Sequence, residues 1–242
     1  MKIIVKKFGG TSVSNIYKMI QAGKYIQKSL KEGFHVVAVV SAMGGETDRL
    51  ISILKNIKKP FSKKEYDSLV SSGEQVSSAT FSIVLQSLGV NAHSLLGWQV
   101  PIQTMGEHSK SKIKIIKKDN IIKLLNNNVV PVVAGFQGVN ENNEITTLGR
   151  GGSDTTAVAL AAILKAYQCD IYTDVDGVFT TDPRIVKNAK KLSHINFEEM
   201  LELSSLGAKV LQSRSVQLAY KFNVRLQVLS SLHGKKGTMV VK

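Results

Sequence analysis

Leu148 to Thr156 reads LGRGGSDTT and leads at once into AVALAAILKA, Ala157 to Ala166. An arginine and two glycines ahead of a helix-forming run make a loop with bare backbone. Gly151 and Gly152 would let an anionic ligand approach the positive end of the helix. Ser153 or Asp154 is placed to cap that helix by accepting orphan backbone N–H bonds. Arg150 adds a planar fork suited to holding a carboxylate in two places. Taken by itself, the segment fits an ordinary glycine turn before a capped helix equally well.

A second loop of the same kind lies at the N-terminus. KIIVKKFGGTSVSN, Lys2 to Asn15, runs from an apolar strand into Gly9 and Gly10, then Thr11 and Ser12, with a helix beginning near Asn15. Lys7 stands just before the turn. The lysine precedes the glycines, so the segment is not a P-loop. It lacks GxGxxG, so it is not a dinucleotide fingerprint either. Two glycine-rich cradles with placed cations predict one phosphate-bearing ligand and one carboxylate-bearing ligand.

Outward from these loops the chain alternates short apolar strands with helices. Strands are expected at Ile3 to Phe8, His35 to Ser41, Ala92 to Leu96, Val129 to Ala134, Asp170 to Asp174, Val224 to Leu229 and Thr238 to Val241. Helical spacing covers Asn15 to Leu30, Thr47 to Ile57, Lys64 to Leu88, Asp119 to Asn126, Asp154 to Ala166, Phe197 to Leu203 and Ala208 to Tyr220. NNEITTLG, Asn142 to Gly149, reads as a hairpin arm feeding the Arg150 loop. Fully apolar strands between helices predict an α/β fold, a three-layer sandwich around a mostly parallel central sheet. No repeat or flexible linker divides the 242 residues, so one domain with at most two lobes is expected.

Composition narrows the function classes. A lone cysteine, Cys169, opens an apolar strand and suits a buried filler in a reducing cytoplasm. Apolar runs are strand-sized, so no membrane partner is expected, and charges at Lys2, Lys6 and Lys7 argue against a signal peptide. The net charge of +14 invites a nucleic-acid partner. Its lysines, however, gather in KNIKKPFSKK, KSKIKIIKK and KNAKK, separate segments that look like solvated loops and helix faces. No aromatics are interleaved there for base stacking, so no nucleic acid is expected.

The order KFGGTS, SAMGGETD, SSGEQVS, VVAGFQG, TTLGRGGSDT, IYTDVDGVFTTDPR and FEEMLELSSLGAKVL resembles that of the aspartate kinases, members of the amino acid kinase superfamily. The likeness runs from Lys6 to about Val240. It implies an amino acid kinase, carbamate kinase-like fold and phosphoryl transfer from MgATP to the side-chain carboxylate of L-aspartate. The product would be 4-phospho-L-aspartate, at the entry to lysine, threonine, methionine and diaminopimelate synthesis. A carboxylate nucleophile needs no deprotonation at neutral pH, so catalysis rests on positioning and charge neutralisation.

By this resemblance Lys7 neutralises the transferring phosphoryl group, and the backbone of Phe8, Gly9 and Gly10 binds phosphate with Ser41 facing the same groups. Asp154 orients the lysine or metal-bound water, although helix capping alone would also explain it. Arg150 pairs with the α-carboxylate, helped by Gly151, Gly152 and Ser153. Glu74 accepts from the α-ammonium, and Thr47 contacts the substrate. The nucleotide lies against Thr173, Asp174, Phe179, Thr180, Thr181, Asp182, Pro183 and Arg184, with Lys209 as a further lysine on that side. Mg²⁺ rides on the ATP phosphates, so no metal-ligating residue is assigned. The substrate side is expected in an N-terminal lobe and the nucleotide side in a C-terminal one. Homo-oligomerisation stays open.

Three departures from the family pattern stand out. Glu46 and Arg49 flank Thr47 where relatives carry smaller or acidic residues. Phe179 replaces a common tyrosine. LQSRS, Leu211 to Ser215, lacks the usual His-Pro, which predicts a looser turn. The chain stops at GTMVVK, near where aspartate kinases continue into two ACT domains, so a catalytic domain without ACT domains is expected. Another superfamily member, or a non-catalytic sensor on the same fold, remains the alternative.

Overall fold

The computed structural model describes residues 1–58, 60–183, 185–207, 210–232 and 237–242. In chain order the elements are β1 (Ile3–Phe8), a 3-10 turn (Gly10–Val13), α1 (Ile16–Lys31), β2 (His35–Val40), α2 (Glu46–Ile53), α3 (Lys63–Ser87), β3 (Ala92–Leu95), β4 (Ile102–Met105), β5 (Lys112–Ile116) and α4 (Asp119–Asn126). There follow β6 (Val130–Ala134), β7 (Gln137–Val139), β8 (Ile145–Thr147), α5 (Gly152–Ile163), β9 (Gln168–Thr173), β10 (His194–Asn196), α6 (Phe197–Ser205), α7 (Ser213–Phe222), β11 (Leu226–Ser230) and β12 (Thr238–Val241).

Eight strands form the central sheet in the order β10-β12-β11-β9-β1-β2-β6-β3. The six from β11 to β3 are parallel, whereas β12 runs antiparallel to β11 and carries β10 parallel to itself. Side-chain alternation gives the sheet two cores. Ile4, Phe8, Val36, Ala38 and Val40 point toward α1 and α3, joining Met19, Ile26, Phe81 and Leu85. Ile3, Val5, Val37 and Val39 point the other way, among Ile121, Leu160, Met200 and Val216 of α4 to α7. The expected three-layer α/β sandwich is therefore present.

A second, four-stranded sheet, β5-β4-β7-β8, stands beside it. Only its β8 edge is foreshadowed by the hairpin arm. The segment KSKIKIIKK, expected to be a solvated loop or helix face, forms β5 instead. It pairs antiparallel with β4 and buries Ile116 while its lysines face water. The final helix also differs from expectation: α7 begins at Ser213, with Val210 and Leu211 outside it, rather than at Ala208. No described helix is long and apolar enough to cross a membrane.

Strand period two also separates the two adjacent lysines. Lys7 falls on the α5 side of β1, and Lys6 on the α1 side. Lys6 is buried, its ammonium 2.6 Å from Asp170 Oδ2 and 3.1 Å from the Tyr172 hydroxyl.

Candidate active site

The carboxyl ends of β1, β2 and β9 open onto a cleft of about 460 Å³. In parallel sheets ligands settle at such strand ends, where the chain leaves neighbouring strands for opposite faces. Twelve residues assigned from sequence line it: Lys7, Gly9, Gly10, Ser41, Thr47, Glu74, Arg150, Gly151, Gly152, Ser153, Asp154 and Thr173. Both glycine loops thus meet in one cavity.

Lys7 and Asp154 form its floor. Lys7 Nζ lies 2.7 Å from Asp154 Oδ1, each side chain about one-tenth exposed. The two are close enough to pair but are not aligned for a hydrogen bond. An ammonium carries three donors, so this largely buried lysine can pair with Asp154 and still donate to an anionic ligand. The capping alternative for Ser153 and Asp154 is not what the helix shows. Gly151 is the N-cap of α5, in left-handed conformation, and no side chain caps it.

Glu74 reaches the cleft because Gly73 lets α3 press against the end of β2, where a Cβ on Gly73 would come within 2.8 Å of Ala42 Cβ. Its Oε1 accepts from the Ala42 amide at 3.0 Å, while Oε2 is buried with no partner. Burial pushes the carboxyl up to about 7. The Ala42 and Glu74 amides and the Lys7 charge only partly offset that rise. A buried carboxylate oxygen without a donor carries a desolvation penalty that a ligand cation would relieve.

Arg150 is exposed at the cleft wall, and among the described residues its guanidinium has no partner. Thr47 sits in the first turn of α2. Beside it Glu46 and Arg49 neutralise each other through two contacts, Nε to Oε2 at 2.8 Å and Nη2 to Oε1 at 2.7 Å. That departure therefore adds no net charge to the cleft.

Other assigned residues lie apart from the cavity. The Phe8 ring is fully buried on the opposite face of β1, stacked on Tyr172 at 4.8 Å and edge-on to Phe81 at 5.5 Å. Strand alternation places it there, so only its backbone borders the glycine turn. The Gly9 N–H is already donated to the Tyr172 carbonyl at 3.1 Å. Asp174 is exposed just beyond β9 and accepts from the Thr173 hydroxyl at 3.1 Å. Phe179 bridges to Lys191, and Thr180 exchanges bonds with Lys190, so this segment folds on itself, and none of it lines the cleft. The Asp182 carbonyl accepts the Ile185 and Val186 amides, so the chain turns from Asp182 onward. Arg184 and Lys209 lie outside the described residues.

The cavity also includes residues that sequence reasoning left unassigned, among them Phe136 and Gln212. Phe136 has φ 70, costly for a bulky residue. Its N–H is held by Thr156 Oγ1 at 3.2 Å and its carbonyl by Leu148 N at 2.8 Å. Phe136 belongs to VVAGFQG, a motif read from sequence only as part of the family likeness. The LQSRS turn is well bonded rather than loose: Ser215 N and Oγ both donate to the Gln212 carbonyl, at 2.9 and 2.7 Å.

Residues 2–230 match the model of the amino acid kinase family. The chain belongs to that family. Among curated members, the aspartokinase of Geobacillus stearothermophilus is 52% identical over 99% of this chain and 59% of its own length. The aspartate kinase of Pseudomonas putida is likewise 52% identical, over 99% of this chain and 58% of its own. This amino acid kinase chain thus spans less than two thirds of the length of these two curated relatives. Among solved structures, aspartate kinase from Synechocystis superposes with a TM-score of 0.87 at 46% identity, covering 98% of this chain and 40% of that one. Aspartokinase III of Escherichia coli, in complex with aspartate and ADP, gives 0.91 at 28% identity, over 100% of this chain and 65% of its own.

Proposed function

We propose that this amino acid kinase is an aspartate kinase. It transfers the terminal phosphoryl group of MgATP to the side-chain carboxylate of L-aspartate, giving 4-phospho-L-aspartate and ADP. The observation that carries the assignment is that one cleft is lined both by Glu74, whose Oε2 is buried without a partner, and by Arg150, whose guanidinium has none among the described residues. One takes an ammonium and the other a carboxylate, the two α-groups of a free amino acid. Relatives named aspartokinase at about half identity support the choice of aspartate.

With the α-groups held there, Thr47 and Ser153 border the space left for the side chain. Its carboxylate oxygen attacks phosphorus, the bond to the ADP oxygen breaks, and no proton moves. Lys7 neutralises charge on the transferring group, and Asp154 holds the ammonium in place. Gly10 and Ser41 lie where phosphate oxygens would come. Thr173, Asp174 and the segment from Phe179 to Pro183 would lie on the ribose and base side. In this reading both halves of the chain serve both ligands. Thr47 and Glu74 meet the acceptor with Arg150 and Ser153. Lys7, Gly10 and Ser41 meet the phosphates, while Thr173 and Asp174 lie on the ribose and base side. Mg²⁺ carried on the phosphates would supply further neutralisation. Asp154 is the cleft carboxylate that would receive its water ligands, and the described residues offer no cluster of metal-ligating side chains.

Incubation with MgATP and L-aspartate, followed by hydroxylamine, tests this directly. An acyl phosphate yields a hydroxamate, and a hydroxamate that needs both substrates is expected. ATP consumption without hydroxamate would overturn the assignment.

A further inference from the structure

The four residues between β8 and α5, Leu148 to Gly151, carry Arg150 between two glycines, with the Leu148 amide bonded to the Phe136 carbonyl and the Gly149 carbonyl accepting the Gly152 amide. Gly149 and Gly151 both have φ 71, in the left-handed region. Two neighbouring structures hold this loop from opposite sides. On one side the β4–β5 connection presses the Ser109 carbonyl to 2.9 Å from where a Gly149 Cβ would stand. Fully buried Asp67 fixes that contact, accepting from Ser109 N and Oγ at 2.8 and 3.0 Å and from Thr147 N and Oγ1 at 2.9 and 2.8 Å.

On the other side stands the first turn of α7. Arg214 Nη1 donates to the Leu148 carbonyl at 2.7 Å, and Nη2 to the Arg150 carbonyl at 3.4 Å. The Gln212 side chain lies so close over Gly151 that no Cβ fits between them. Arg214 does not line the cleft, and among the described residues no carboxylate pairs with it. Its guanidinium is thus turned to the two carbonyls that bracket Gly149. Charged donors on backbone acceptors are the stronger kind of hydrogen bond, and a fork with two targets fixes direction as well as distance.

We propose that Arg214 is a positioning residue that locks the Leu148–Gly151 loop so that Arg150 presents its fork to the acceptor's α-carboxylate. This rests on the acceptor assignment given above for Arg150. The effect is confined to the acceptor side, because the phosphate side is built from β1 and β2, which Arg214 does not touch.

The test compares the wild-type chain with Arg214→Leu and Arg214→Lys by amide hydrogen exchange without substrates and by steady-state kinetics. In Arg214→Leu, exchange in a peptide covering 148–153 should quicken about tenfold or more while β1 and β2 stay as protected as in wild type. The Michaelis constant for L-aspartate should rise about tenfold or more with that for ATP changed less than about twofold. Arg214→Lys, which keeps one charged donor, should fall between. Unchanged exchange at 148–153 would overturn the proposal, as would aspartate and ATP constants rising together. A wild-type chain that ignores L-aspartate would sink the acceptor assignment and with it the Arg150 half of the proposal, while the exchange result would still decide whether Arg214 fixes the loop.

Discussion

Lys7 at the end of β1 and Asp154 in the first turn of α5 stand 2.7 Å apart, and this pair joins the two glycine loops into one site. The ammonium is largely buried in this ion pair and lines the cleft, with three donors of which the carboxylate takes only part. Lys7→Ala should cut turnover by about two to four orders of magnitude and leave the Michaelis constant for L-aspartate nearly unchanged, because charge neutralisation matters most in the transition state. Steady-state kinetics check this. A mutant keeping over half of wild-type turnover would remove Lys7 from catalysis.

Glu74 makes acceptor recognition pH-dependent. Burial raises its carboxyl from 4.5 to about 7, so between those values the folded chain keeps a proton that the unfolded chain has lost. The stability tied to that proton is complete below about pH 4.5 and is lost as pH rises through about 7, a difference of roughly 3 kcal/mol. Glu74→Gln should therefore be more stable than wild type at pH 8, as read by urea unfolding. Ammonium binding needs the ionised form, so kcat/KM for L-aspartate should climb up to about pH 7 in wild type and show no such climb in Glu74→Gln. Parallel profiles in the two proteins would remove Glu74 from the ammonium site.

Arg150→Lys keeps the charge and loses the planar fork. The Michaelis constant for L-aspartate should rise about tenfold or more. Unchanged aspartate kinetics would place the α-carboxylate elsewhere.

Gly151→Ala combines a left-handed φ of 71 with a Cβ that has no room beneath Gln212. It should lower stability by about 1–3 kcal/mol, measured by urea unfolding, and weaken acceptor binding with it. A fully stable, fully active variant would mean that the loop shifts freely.

The central layers were legible because their strands are apolar on both faces. β1, β12 and α4 lie where periodicity places them, and α1 is capped by Asn15, whose side chain accepts the Lys18 amide at 2.9 Å. The small sheet was not legible, since β5 is a lysine-rich edge strand whose charges mask one buried isoleucine, and β7 and β8 have three residues each. Within the site, the glycine loops and Arg150 stand out by chemistry alone. Glu74 does not: an acid in a long helix looks ordinary until Gly73 brings it under Ala42. Gln212 and Arg214 are seen only after folding, because nothing local in LQSRS shows that α7 closes over a loop formed far earlier in the chain. Lys6 and Lys7 are alike in sequence, and only strand alternation separates a core ion pair from a site residue.

The most direct measurement is ADP release by the 242-residue chain with L-aspartate, L-glutamate or N-acetyl-L-glutamate as acceptor. A site with a buried, unpartnered Glu74 oxygen is built for a free ammonium and rejects an acylated nitrogen. Aspartate should therefore drive turnover with kcat/KM at least about a hundredfold above N-acetyl-L-glutamate. Preference for the acylated acceptor, or ADP release indifferent to any of the three, would contradict the account.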